Sequence, residues 1–179
     1  MPINLKFVLA MILNGTVPGP FTFLSCDNFI SKIDYENSIS RLQKSDLIVW
    51  TAPEYPMSRY KTNRYSWVNV NNDMVTGFSL KNLPESFKNP SMVMGNLTFK
   101  NKEIARKLIE ECFKTAERYN SEIYLDSVIQ IALEFGHKVS SVGLDKFFAV
   151  GAEDEVNTYK YYSNFKMLKF LKVHRCLLS

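Results

Sequence analysis

Along this chain, short apolar runs are separated by polar breakers, and two kinds of run alternate. One kind is continuous and rich in β-branched or aromatic residues. Phe21 to Ser25, Asp46 to Ala52 ("DLIVWTA") and Ser91 to Phe99 are of this kind and predict strands, the first two of the buried type that suits a parallel sheet. The other kind steps by three and four. Ile104, Leu108, Ile109, Cys112 and Phe113 mark one helical face; Ile123, Val128, Ile129 and Leu133 mark another, on a helix read from Ile123 to Phe135 and stopped by Gly136.

The remaining elements follow from breakers and caps. Residues 3–13 read as the end of a helix, closed by Asn14-Gly15 and the Pro18-Gly19-Pro20 breaker. Asp34 or Asn37 caps a helix through Gln43, and Tyr65 to Leu80 ("YSWVNVNNDMVTGFSL") predicts a hairpin turning at Asn72-Asp73. "KVSSVGL" and "FFAV" read as strands. A last helix runs from Glu153 towards Lys169, with Glu153, Asp154 and Glu155 in its first turn, where the helix dipole favours acids. Strands alternating with helices place the chain in the α/β class, as a single domain over residues 1–179.

Composition and charge remove several functions. With 46% hydrophobic and 22% charged residues, neither disorder nor a coiled coil fits. The longest apolar run, Phe7 to Leu13, is far short of the roughly 20 residues that span a bilayer, so no membrane span is expected. The net charge is +4, but Lys160, Lys166, Lys169, Lys172 and Arg175 sit in a tail without acids, leaving the body near neutral. That distribution argues against a nucleic-acid surface. The basic tail, residues 166–179, reads as a solvated helix end or as a contact for an acidic partner or membrane surface. Cys26, Cys112 and Cys176 form no disulfide framework, and the N-terminus has one basic residue and no cleavage site of the secretory kind. The expected location is therefore the cytoplasm. The acceptor triplets at Asn14 and Asn96 would matter only in a secreted chain.

Common catalytic signatures are missing. None of the 7 glycines forms G-x-G, so there is no dinucleotide fingerprint or Walker loop; there is no G-x-S-x-G elbow and no H-E-x-x-H. What remains is Asp27, a carboxylate at the end of a predicted strand and followed by Asn28. It sits where open α/β sheets bind ligands and where a Mg²⁺ beside a phosphate would find oxygen ligands; the plain alternative is that Asp27 caps the next turn. Arg59, Lys61 and Arg64, with Tyr60 and Tyr65, read either as an anion clamp or as an exposed loop face.

"PFTFLSCDNFISKI" (Pro20 to Ile33) resembles the strand and metal-binding turn of the sugar-phosphate nucleotidyltransferases, the nucleotide-sugar pyrophosphorylase family. "SEIYLDSVIQIALEFGHKVSSVGLDKFFAVGAEDEVNTYKYY" (Ser121 to Tyr162) is similar to the second half of that family. Between them, "DMVTGFSLKN" resembles the hairpin that ends in an E-K pair, and "VMGNLTFKNKE" the G-x-Y-x-F strand after it. The likeness covers most of residues 5–165, in order, and has the flavour of the branch that serves capsule and surface-polysaccharide biosynthesis. It begins downstream of the family's G-x-G-x-R-like triphosphate loop.

The resemblance implies a partial Rossmann-like nucleotidyltransferase (GT-A-like) fold with a mixed sheet and an inserted β-hairpin. It implies transfer of a nucleotidyl group from a nucleoside triphosphate to a phosphorylated sugar-like substrate, with Mg²⁺ as cofactor and pyrophosphate released. Carried onto this chain, Asp27 would hold Mg²⁺, with Asp145 a substitute second ligand because Ala149 stands at the usual aspartate. Lys81 would contact the substrate phosphate, Glu122 would accept substrate hydroxyls, and Asn28 and Gly95 would belong to the substrate site. A non-catalytic binding or assembly module derived from the fold is the alternative, and a glycosyltransferase-like domain a third reading. An uncovered sheet edge would favour a homo-oligomer.

Overall fold

The computed structural model describes residues 18–161 apart from 26, 29, 54–57, 59, 117, 120, 121, 145, 146, 148 and 150. The expected helix over 3–13, Asp145 and the tail 166–179 lie outside the described residues.

The elements in chain order are β1 (Phe21–Phe23), α1 (Lys32–Ile39), β2 (Leu47–Ala52), β3 (Trp67–Asn71), β4 (Met74–Ser79), β5 (Pro90–Phe99), α2 (Lys102–Thr115), α3 (Ser127–Glu134) and β6 (Val139–Gly143). A further helix, α4, covers residues 153–161. The six strands form one sheet in the order β1-β5-β2-β6-β4-β3, with β3 also reaching β5. Only β2 and β6 are parallel neighbours; the other pairings are antiparallel. The sheet is therefore mixed.

Alternation along β2 explains the two cores. Leu47 and Val49 face one side, where Phe99, Leu108, Ile109, Val128 and Ile129 from β5, α2 and α3 meet them. Ile48, Trp50 and Ala52 face the other, against Leu42, Tyr35 and Met92. Every residue of β2 is buried, as its unbroken apolar run predicts. The Trp50 ring stacks on Tyr35 at 6.4 Å, and its indole N–H donates to the Thr98 hydroxyl at 2.8 Å, so the polar edge of a fully buried ring is satisfied.

Local chemistry sets the element ends. Ser31, not Asp34 or Asn37, caps α1 by accepting the Asp34 backbone N–H at 3.0 Å. Asn101 caps α2 through the Ile104 N–H at 2.9 Å. The β3–β4 hairpin turns at Asn72 and Asp73, whose φ values of 47° and 63° suit the tight hairpin turn these residue types favour. β1 departs from its expected buried character: it is half-buried at the sheet edge, with Leu24 exposed beyond it. α3 starts four residues later than its periodicity predicts, because Tyr119 and Glu122 exchange backbone hydrogen bonds and turn the chain first. Phe147 and Ala149, expected in a strand, lie outside the strands.

Candidate functional site

β1, β2 and β6 run in the same direction, each being parallel to β2 or antiparallel to its neighbour β5, so their carboxyl ends converge on one side of the molecule. A cavity of about 380 Å³ opens there, lined by the turn after β1, by Met92 to Gly95 of β5 and by residues from 147 to 155. Ligands of open α/β sheets bind at such ends.

The floor is shaped by a bulge. Between the pairs Val49–Leu97 and Thr51–Val93 the register shifts, and β5 carries the extra residues. Gly95 lies in that bulge at φ +78°, a conformation that costs any residue with a Cβ. Beside it Asn96, fully buried, braces the turn after β1. Its Oδ1 accepts the Ser25 N–H at 2.6 Å, and its amide donates to Asn28 Oδ1. Asn28 in turn donates to the Met94 carbonyl at 2.7 Å. Both polar ends of Asn28 are thus spent on the protein, and it shapes the turn that presents Asp27.

Asp27 Oδ1 accepts the Ser25 hydroxyl and the Asn28 amide, the latter at 3.2 Å; Oδ2 has no hydrogen bond among the described residues. Asp27 does not cap α1, whose cap is Ser31. A Cβ added to Gly151 would stand 2.6 Å from Asp27 Oδ2, so a larger residue there would displace this carboxylate.

Lys81 follows β4 in a left-handed conformation (φ 52°), uncommon for a residue with a long side chain. Its ammonium donates to the Arg64 carbonyl at 2.7 Å and lies 5.0 Å over the Tyr124 ring. Opposite stands Asp126, 8% exposed, at the start of α3; its Oδ2 accepts the Ser66 hydroxyl at 2.7 Å. Burial pushes the Asp126 carboxyl upward, Asp27 adds to that, and Lys81 and the Ser66 hydrogen bond pull it back. Burial also raises Tyr124, with the charges of Glu122 and Asp126 contributing.

The expected site residues divide accordingly. Asp27, Asn28, Lys81 and Gly95 line one cavity. Glu122 is exposed and outside the lining; the turn it makes with Tyr119 sends Tyr124 and Asp126 to the wall instead. Ala149 lines the cavity, and Asp145 is among the undescribed residues. Asp126 was not expected, although an acid just before an apolar helical run is a recognisable helix start.

In the basic loop Arg59 lies outside the described residues, Tyr60 is exposed, and Lys61 and Arg64 meet an acid of this chain. Arg64 Nη1 lies 3.1 Å from both Asp154 oxygens, and Lys61 pairs with the same carboxylate. The hydrogen bonds from Lys61 and then Arg64 hold Asp154 down at about 2. Tyr65 donates to Glu155 Oε1 at 2.6 Å, while Glu155 Oε2 accepts the N–H groups of Gly151 and Ala152, both at 3.1 Å, closing the first turn of α4. The anion that the loop clamps belongs to the chain itself.

No cluster of three or more His, Cys, Asp or Glu side chains able to hold a metal occurs among the described residues. Mg²⁺ commonly takes one or two carboxylates and completes its shell with water and ligand phosphates. Asp27 lines the cavity, and its Oδ2 accepts no hydrogen bond among the described residues, which fits that mode of binding. No described helix is long and apolar enough to cross a membrane.

This mixed α/β fold is shared with several solved nucleotidyltransferases at low sequence identity. No family model matches the chain, and no curated protein does. The structure is similar to the nucleoside-diphosphate-sugar pyrophosphorylase from Vibrio cholerae RC9, with a TM-score of 0.60 and 17% identity over 86% of this chain and 60% of that one. It is similar to the inositol-1-phosphate CTP transferase from T. maritima, with a TM-score of 0.65 and 14% identity over 89% of this chain and 60% of that one. A CMP:2-keto-3-deoxy-manno-octonic acid synthetase complexed with CTP matches at a TM-score of 0.60 and 11% identity, over 90% of this chain and 68% of that one. The chain thus spans about 60% of the length of the first two.

Proposed function

We propose that this chain forms the substrate side of a Mg²⁺-dependent nucleotidyltransferase, which joins a nucleotidyl group from a nucleoside triphosphate to a sugar phosphate or similar phosphorylated compound, in the service of surface-polysaccharide biosynthesis. One observation carries the reading. Asp27, Lys81 and Gly95, far apart in sequence, line one cavity at the carboxyl ends of the strands, in a fold shared with nucleotidyltransferases. In the reaction an oxygen of the substrate phosphate bonds to the α-phosphorus, the bond from that phosphorus to the bridging oxygen breaks, and pyrophosphate leaves.

The residues have distinct tasks. Lys81, fixed by the Arg64 carbonyl and the Tyr124 ring, orients the substrate phosphate and offsets its charge. Gly95 gives the ligand close access to the β5 backbone. Asp27 would hold Mg²⁺, which when bound supplies neutralisation of phosphate charge. The test is calorimetric titration of glucose 1-phosphate and of a nucleoside triphosphate with Mg²⁺. Asp27→Ala should abolish the Mg²⁺-dependent part of binding with little change in melting temperature. Lys81→Met should weaken glucose 1-phosphate about tenfold or more, the scale of a lost charged hydrogen bond. Equal binding by Lys81→Met sinks the assignment.

A second reading, a non-catalytic binding module, draws on Ala149. It lines the cavity where the family resemblance places a second metal-binding aspartate. Ligand binding without pyrophosphate release would favour it.

A further inference from the structure

The cavity wall carries a second cation that the reading above leaves unused. Arg64 lies next to Lys81, joined through its own carbonyl, and its guanidinium rests on Asp154. Two features make that rest exchangeable. Asp154 is also bound by Lys61, so it keeps a counter-charge when Arg64 leaves. Glu155, 4.0 Å from Nη1, is secured independently by Tyr65 and by the N–H groups of Gly151 and Ala152. Neither carboxylate is orphaned by the departure.

The pair is also easily broken. The Arg64 and Asp154 side chains are 39% and 38% exposed, so solvent screens their attraction. Only one guanidinium nitrogen reaches Asp154, which leaves the rest of the planar fork for another anion.

We propose that Arg64 is a ligand-binding residue of this cavity, parked on Asp154 when no ligand is present and transferred to the phosphate of a bound ligand, while Lys61 keeps Asp154 neutralised. The ligand class is a phosphate monoester or a diphosphate, for which Lys81 supplies a point charge and Arg64 a bidentate fork. The inference rests on the reading of the cavity as a phosphate site.

Inorganic pyrophosphate titrated into the full chain at low ionic strength tests it. Arg64→Met should weaken binding about tenfold or more, with Arg64→Lys in between. Asp154→Asn should tighten binding about threefold, because Arg64 no longer leaves a competitor to meet the ligand. A merely structural clamp would move Arg64→Met and Asp154→Asn in the same direction; opposite signs are the signature of exchange. If the unsubstituted chain binds and Lys81→Met weakens it while Arg64→Met does not, the inference fails and the site reading stands. Weaker binding by Asp154→Asn also overturns it. If the unsubstituted chain does not bind pyrophosphate, both fall together. Should Arg64→Met fail to fold, Arg64→Lys and Asp154→Asn carry the test.

Discussion

Asp46 and Asp154 are both surrounded by cationic partners, but they stand at opposite ends of the sheet and join different things. Asp46 precedes β2 at the end away from the cavity. Its carboxylate meets His137 Nδ1 at 3.1 Å, the Lys138 N–H at 3.3 Å and the Lys100 ammonium at 3.7 Å. Its own backbone donates to the Lys138 carbonyl at 2.7 Å and accepts the Lys100 N–H at 3.0 Å. Side chain and main chain therefore tie together the start of β2, the start of β6 and the end of β5. Burial pushes the Asp46 carboxyl up, but the His137 hydrogen bond, the Lys138 N–H and the nearby positive charges outweigh it and leave it below its ordinary value.

No backbone N–H donates to the Asp154 carboxylate among the described residues. It is gripped by the long side chains of Lys61 and Arg64, of which Arg64 lines the cavity. The charges are alike; what differs is how rigidly the partners are mounted. A carboxylate whose own backbone is tied into a strand junction is structural. One held by partly exposed side chains, with two cations sharing it, can trade partners.

The strongest way to break this contrast is Asp46→Ala. It should cost about 2 kcal/mol in urea-induced unfolding, the scale of lost hydrogen bonds to a charged group, while pyrophosphate titrations remain unchanged. A ligand-binding defect instead would mean that the two ends communicate.

Asp126 sharpens the comparison, because its carboxylate is raised rather than lowered. A raised acid favours the fold below its ordinary value of 3.8, and that contribution is lost as pH rises through the folded value. Asp126→Asn, which retains an acceptor for the Ser66 hydroxyl, should therefore be more stable at pH 8, with the gain shrinking as pH falls towards 3. A gain that persists in acid would trace to packing.

The smallest expected effect lies on the acid limb of the stability curve. Asp154 is depressed from 3.8 to about 2, so its contribution is present above the ordinary value and is lost as pH falls through that window. Asp154→Asn should flatten the limb slightly between those values, and Asp46→Asn should flatten it as well. No change for Asp154 would mean that solvent has already screened the pair away.

What could be read from the chain alone follows from the range of each interaction. β2, β5, α2 and the Asn72-Asp73 turn rest on local periodicity and turn chemistry, which a linear reading captures. The gathering of Asp27, Lys81 and Gly95 came from a resemblance, because nothing local in Lys81 says that it lines the same cavity as Asp27. The late start of α3 was hidden because Ile123 keeps helical spacing while its neighbours form a turn. Asp154 was legible as a helix-start acid, but its partners lie about ninety residues earlier in the chain. Glu122, placed by pattern, is exposed, and the wall is reached two residues later, by Tyr124.

The brace at Asn96 has a consequence for how the chain must be handled. Asn96-Leu97-Thr98 is an acceptor triplet for N-linked glycans, yet Asn96 and Thr98 are both 0% exposed, and the Thr98 hydroxyl is engaged by Trp50. A sugar there has no room in the folded molecule. In a secretory host, a glycan at this position would record that the enzyme adding it arrived before β5 was seated in the sheet. Occupancy at Asn96 would thus serve as a clock for folding, and each occupied chain would be one that can no longer close over Asp27.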